Sequence, residues 1–246
     1  MFYGYGIINN HVPTLKATVM RGGSAPSPLL TSLYAVYKGE SNANDSLGVY
    51  NGTAQGGLTY TTGKSGNAFT FNGTNALVSL PNNSMNLTGD FSISVWVNMT
   101  SISGVQVFLS TYQNISGVDY GFIFRNINST QLTFFNGTTQ TTTNISGGGL
   151  LTNTWYHIVV TKTSSQIKWY VNGVADNVFN GVYPMSYHTS NPASIGALYK
   201  WNGTDTVQFM SNGSKIDELN IWNRILTATE ITDLYNAGTG KFYPTF

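Results

Sequence analysis

The sequence contains no cysteine. That excludes a disulfide framework, thiolate metal sites and a cysteine nucleophile. A secreted animal domain of this kind often carries a disulfide, so the absence leans towards bacteria or their viruses. Charge is scarce as well. Asp, Glu, Lys and Arg supply 9% of the chain and the formal net charge is +1, whereas an average globular protein is roughly 25% charged. No basic field points to nucleic acid or to an anionic membrane. No run of about 18 apolar residues occurs, so no membrane-inserting helix is expected. The opening MFYGYGIINNHVPTLK lacks a basic segment followed by an apolar one, so no secretory signal is read there. There is no G-x-S-x-G and no H-E-x-x-H, which removes two hydrolase signatures. What is present is Thr, Asn, Gly and Ser, together with 41% hydrophobic and 13% aromatic residues over 246 positions. A β domain of this length often folds as one unit.

Hydrophobic residues alternate along most of the chain. Phe91-Ser-Ile-Ser-Val-Trp-Val97 places Phe91, Ile93, Val95 and Val97 on one face and Ser92, Ser94 and Trp96 on the other, the pattern of a half-buried strand. Trp155–Thr163 and Ile167–Val171 read as a hairpin across Thr163-Ser-Ser-Gln166, followed by the turn dipeptide Asn172-Gly173. Further strands are expected at Ala68–Phe71, Ala76–Leu80, Val105–Ser110, Tyr120–Arg125, Gln131–Phe135, Ala193–Ile195 and Lys215–Trp222. Many short strands with Gly/Asn turns indicate a sandwich or jelly roll. Thr138–Gly149, TTQTTTNISGGG, reads as an exposed low-complexity loop.

One stretch near the C-terminus breaks the pattern. Thr227-Ala-Thr-Glu230 fits a capping box, with Leu226 and Ile231 placed for a hydrophobic staple. Ile231, Leu234 and Tyr235 then form an apolar stripe, and Gly238 is placed to end the helix. A helix of about nine residues is too short to stand alone. It is expected to pack across an edge or end of a sheet.

These segments carry a resemblance. Ile216-Asp-Glu-Leu-Asn-Ile-Trp-Asn-Arg224 followed by the Leu226–Asn236 helix resembles the end of laminin-G-like domains of the concanavalin A-like lectin/glucanase superfamily. Asn153–Gly173 resembles that family's middle hairpin. Gly63–Gly73 with Ala76–Leu80, Gly89–Val97, and Leu33–Gly52 are similar to its earlier strands, in the family's order. The resemblance covers roughly residues 30–238. It implies an all-β, two-sheet antiparallel jelly-roll sandwich, with the terminal strand and short helix closing the domain. Residues 1–30 fall outside it and read as an N-terminal arm, residues 31–246 as the jelly roll. The Gly22–Pro28 stretch has linker composition.

No catalytic residue is assigned. His157 lies mid-strand, in the family hairpin, and reads as a packed strand residue; His11 and His188 are the other two histidines. The adjacent acids Asp217 and Glu218 are expected to face opposite sides of their strand, as neighbours on a strand do, which disfavours glycoside hydrolysis by a carboxylate pair. No metal site is assigned, although some laminin-G-like domains bind calcium and Asp45, Asp119, Asp176 and Asp205 lie in expected loops. Each reads first as a turn residue bonding its own backbone. The resemblance points to carbohydrate binding. Sugars stack on exposed aromatics and need a few placed polar groups. The candidates are Tyr112, Asp119, Tyr120, Tyr199, Trp201 and Asp205.

The expectation is a non-enzymatic virion structural protein, a bacteriophage capsid-decoration, head-fibre or tail component. It would attach to other virion proteins through the arm and display the jelly roll to host or environmental glycans. The alternative is a bacterial surface or secreted carbohydrate-binding module. Self-association into a homo-oligomer is left open.

Overall fold

The period-2 runs become strands of two antiparallel sheets. The computed structural model of the protein describes residues 27–198 and 208–246. The front sheet runs, in spatial order, Gln140–Asn144, Gln131–Phe135, Ile123–Asn128, Gln106–Ser110, Ala193–Ile195, Leu77–Leu80 and Thr53–Gln55. The back sheet runs Val174–Asn180, Gln166–Val171, Trp155–Lys162, Phe91–Asn98, Lys215–Trp222, Asn67–Thr70 and Thr59–Thr62. Lys215–Trp222 pairs Asn67–Thr70 along its first half and Leu33–Tyr37 along its second. One strand thus ties the start, middle and end of the chain together.

The core lies between the sheets and is aromatic. Phe91 of the back sheet meets Phe122 and Phe134 at ring-centroid distances of 6.1 and 6.0 Å. Phe108 and Phe124 meet edge-on at 5.2 Å, and Trp169 lies 5.8 Å from Phe124. All of these rings are fully buried. Each contributes roughly 1.5–3 kcal/mol by leaving water.

Phe91, Ile93, Val95 and Val97 face this core as their alternation requires. The other face of that strand is buried too, so the strand is not half-buried. The reason is the chain's end. Helix α1, Ala228–Tyr235, carries the expected capping box: Thr227 Oγ1 accepts from Glu230 N, and Glu230 Oε2 accepts from Thr227 N at 2.8 Å. Its stripe, Ile231 and Leu234, packs with Leu226 on Val159, Tyr170 and Trp222. These belong to inner strands, so α1 covers the outer face of the back sheet, and Thr232 Oγ1 donates to Gly173 O at the turn into the edge strand Val174–Asn180. The helix ends at Asn236, which adopts a left-handed conformation (φ 46°), two residues before Gly238.

The end of the arm belongs to the same cluster. Pro28–Leu30 form a 3-10 turn and Leu29 is buried beside Trp222. Trp222 Nε1 donates to Leu29 O at 2.7 Å, and Arg224 Nη2 donates to Pro28 O at 2.7 Å. Residues 1–26, including His11, lie outside the described residues.

Two further expectations are corrected. The stretch Thr138–Gly149 is not all loop: Gln140–Asn144 is a strand paired with Gln131–Phe135, with Thr141 and Thr143 buried. The alternation was hidden because both faces are built from Thr and other polar residues. The strand expected at Tyr120–Arg125 is divided. Val118–Tyr120 closes a small hairpin, Gly121 turns at φ +74°, and the sheet strand starts at Ile123. A Cβ on Gly121 would lie 2.2 Å from Thr111 O, so only glycine fits that turn.

Candidate ligand-binding face

Among the described residues no helix lies over the outer face of the front sheet. Along Ile123–Asn128, Phe124 points into the core, so its neighbours Ile123 and Arg125 point outward. Register brings Thr133 opposite Arg125 and Phe135 opposite Ile123. Tyr112 meets Phe135 edge-on at 5.5 Å and rests with Ile123, Val107 and Leu198 in a small apolar cluster.

Beside these rings lies a groove of about 330 Å³, with Arg125 in it and with Gln140 and Gln208 on its walls. Arg125 donates from Nε to Thr133 Oγ1 at 3.2 Å, from Nη1 to Gln208 Oε1 at 3.3 Å and from Nη2 to Gln140 Oε1 at 3.2 Å. Burial pulls its pKa below the ordinary guanidinium value. A second hollow, of about 170 Å³, lies further across the same sheet among Gln55, Ser79, Ser110 and Ser194.

Of the residues chosen from sequence, Tyr112 lines the groove. Asp119 stands behind it: Oδ1 accepts from Tyr112 Oη and from Asn114 Nδ2, both at 2.6 Å. The tight Ser116-Gly117 turn sets this pair, because it registers Asn114 against Asp119. Tyr120 is not brought to the groove and packs edge-on against His188 at 5.4 Å. Tyr199, Trp201 and Asp205 lie outside the described residues. Arg125, Phe135, Gln140 and Gln208 were not chosen. Arg125 had a signal, being one of only three arginines and standing in a strand pattern. The glutamines had none, since nothing local distinguishes them from other polar strand residues.

The other chemically suggestive groups are buried. His157 Nε2 lies 2.7 Å from Ser94 Oγ, but both are buried and burial pushes the imidazole down to about 3. Nδ1 has no partner among the described residues, so no carboxylate orients the ring. His157 is a packed strand residue, between Trp96 at 5.1 Å and Tyr235 at 6.2 Å.

The opposite-sides expectation for Asp217 and Glu218 is overturned. A β-bulge interrupts the pairing with Phe91–Asn98 there, and Glu218 adopts φ +46°. Ile216 and Leu219 both face the core, so the two residues between them are off the inter-sheet side together. Asp217 Oδ2 accepts from Lys64 N and Ser65 N, and Oδ1 from Glu218 N. Among the described residues nothing donates to either oxygen of Glu218. Burial raises Asp217 to about 7 and Glu218 to about 8, the second also through the charge of Asp217. Neither has exposed surface to offer a substrate.

Asp45 and Asp176 do not suit calcium. Asp45 accepts from the backbone N–H groups of Val36, Leu47, Val49 and Tyr50. Asp176 accepts from Thr143 Oγ1 and Ser146 N. Donors already occupy the oxygens a cation needs. Among the described residues no group of three or more His, Asp or Glu side chains is placed to hold a metal.

A family model for the concanavalin A-like lectin/glucanases superfamily, of the laminin-G type, matches residues 72–232. No curated protein sequence matches the chain. Among solved structures, domain 4 of AbnA, a GH43 extracellular arabinanase from Geobacillus stearothermophilus in complex with arabinotriose, superposes with a TM-score of 0.62 at 22% identity, covering 82% of this chain and 97% of that one. The binding domain of botulinum neurotoxin serotype G gives 0.61 at 19% identity, covering 84% of this chain and 51% of that one. A mutant Trypanosoma rangeli sialidase with trans-sialidase activity gives 0.62 at 15%, covering 89% and 35%. The chain thus spans nearly the whole arabinanase domain, but about half of the neurotoxin domain and a third of the sialidase. At these identities the likeness is one of fold.

Proposed function

Because the chain belongs to the concanavalin A-like lectin/glucanase superfamily, we propose that it is a non-enzymatic glycan-binding domain using the outer face of the front sheet. The observation that carries this reading is the groove. Two aromatic rings, Tyr112 and Phe135, stand beside Arg125, Gln140 and Gln208 in one open hollow. Ring faces supply apolar contact to the C–H surface of a sugar, and amide and guanidinium groups meet its hydroxyls. The arabinanase domain seen with arabinotriose is a fold relative of matching extent. The burial of the adjacent acids Asp217 and Glu218 favours binding over cleavage.

An immobilised glycan array tests this. The protein is expected to bind a subset of glycans, and Phe135→Ala or Gln140→Ala to weaken binding roughly tenfold, the scale of one lost stacking or hydrogen-bond contact. An array without binding, or variants that bind as the parent does, would remove the reading.

The setting we propose is the surface of a bacteriophage virion, on composition and the N-terminal extension alone. A pull-down from disrupted virions should capture a virion protein with the full chain and lose it when residues 1–26 are deleted. The cut stops before Leu29, whose burial the fold needs. Retention of both forms on a polysaccharide column, with no arm-dependent partner, would favour a free bacterial carbohydrate-binding module.

A further inference from the structure

We infer that the ligand taken at this groove carries a carboxylate, so that the glycan is an acidic one whose carboxylate docks on Arg125; the inference rests on the glycan-binding reading above. The two arginines among the described residues make the contrast. Arg224 is forked onto a carboxylate, with Nη1 to Glu230 Oε2 at 2.9 Å and Nη2 to Glu230 Oε1 at 2.7 Å. Arg125 has no carboxylate partner among the described residues, and all three of its bonds go to neutral oxygens. A guanidinium has five N–H groups. Those bonds use one on Nε, one on Nη1 and one on Nη2, which leaves one on each terminal nitrogen.

Taking a cation partly out of water without an opposite charge is unfavourable, and neutral acceptors offset only part of that cost. Yet the side chain is held firmly, by Thr133 from its own sheet, by Gln140 from the next strand and by Gln208 from across the groove. Asp119, beside the groove, is turned to Tyr112 and Asn114 and positions the phenol. A planar carboxylate matches the two remaining N–H groups as a bidentate partner. Its sugar ring would rest on the Tyr112–Phe135 wall. A neutral sugar gains the wall and the amides but leaves the charge uncompensated.

The test uses the full chain with galacturonate trisaccharide, its methyl ester and a sulfated neutral trisaccharide, measured by calorimetry at two salt concentrations. The free acid is expected to bind at least tenfold more tightly than the ester, with affinity falling as salt rises. Arg125→Gln should reduce the acid to the level of the ester, and Arg125→Lys should keep salt dependence but lose most of the preference, because an ammonium lacks the planar fork. Unchanged melting temperatures would separate these effects from unfolding. Acid and ester binding equally would overturn the acidic-glycan inference while leaving glycan binding intact. Preference for the sulfated sugar over the carboxylate would also overturn it. Failure of all three, together with an empty neutral-glycan array, would overturn the parent reading with it.

Discussion

Glu218→Gln is expected to raise the melting temperature above pH 8 and to leave it nearly unchanged at pH 5. Glu218 is fully buried and no described group donates to its oxygens. Burial first, then the charge of Asp217, lifts it from 4.5 to about 8; the Lys38 charge opposes this and the Glu40 charge adds to it. Asp217 is lifted from 3.8 to about 7, although three backbone N–H groups pull the other way. Both folded-state values lie above the unfolded ones. The folded chain therefore holds more protons than the unfolded chain between about pH 4 and 8, and stability falls as pH rises through that window. Below it the difference vanishes, because both carboxyls are protonated in either state. A shift of about three units corresponds to roughly 4 kcal/mol for one group. Gln at 218 imitates the protonated acid at every pH, so the variant loses Glu218's share of the slope. At about 2–4 °C per kcal/mol for a chain of this size, the gain at pH 8.5 should be near 10 °C. Thermal melts of parent and variant from pH 5 to 9 decide the matter. Parallel curves would mean that the folded-state pKa of Glu218 is not raised above its unfolded value.

Trp222→Ala should be the most damaging single truncation on the outer side of the back sheet. The indole is fully buried among Leu29, Val159, Tyr170 and the α1 stripe, and its N–H holds Leu29 O. Removing a buried Trp costs about 3–5 kcal/mol, and an unpaired Leu29 carbonyl adds to that. Denaturant melts should show the midpoint falling with little change in slope, because the inter-sheet core is untouched. Limited proteolysis should then open the chain near Pro28–Thr31, whose other anchors are bonds to Arg224. Trp222→Phe should cost much less, about 1–2 kcal/mol, by keeping most of the packing while losing the N–H. A loss below 1 kcal/mol in the alanine variant would show that α1 is held by its cap and not by this cluster.

The sequence was most legible where a residue's role depends on its near neighbours. Lys215–Trp222, Gln131–Phe135 and Ala193–Ile195 formed as read from alternation. The helix start followed from Thr227 and Glu230, because a capping box closes within four residues. The Asn172-Gly173 turn took the positive φ values that dipeptide favours (50° and 76°). Reading failed where the signal was masked or absent. The Thr-rich strand Gln140–Asn144 has no polarity contrast between its faces. The bulge at Glu218 breaks alternation without a glycine to announce it, and only its partner strands show that two acids share one side.

The sequence by itself thus determined the two-sheet class, the capped terminal helix and the family. Each rests on periodicity or on contacts between residues a few positions apart. It did not determine where a ligand sits. Tyr112, Arg125, Phe135, Gln140 and Gln208 are spread over nearly a hundred positions, and only strand register brings them to one groove. Whether a polar residue is a solvated surface group or a held, partly dehydrated one depends on what the pairing places opposite it. Arg125 is proposed as a site because its partners among the described residues are neutral oxygens and not a carboxylate, and that choice of neighbours is made by the tertiary structure alone.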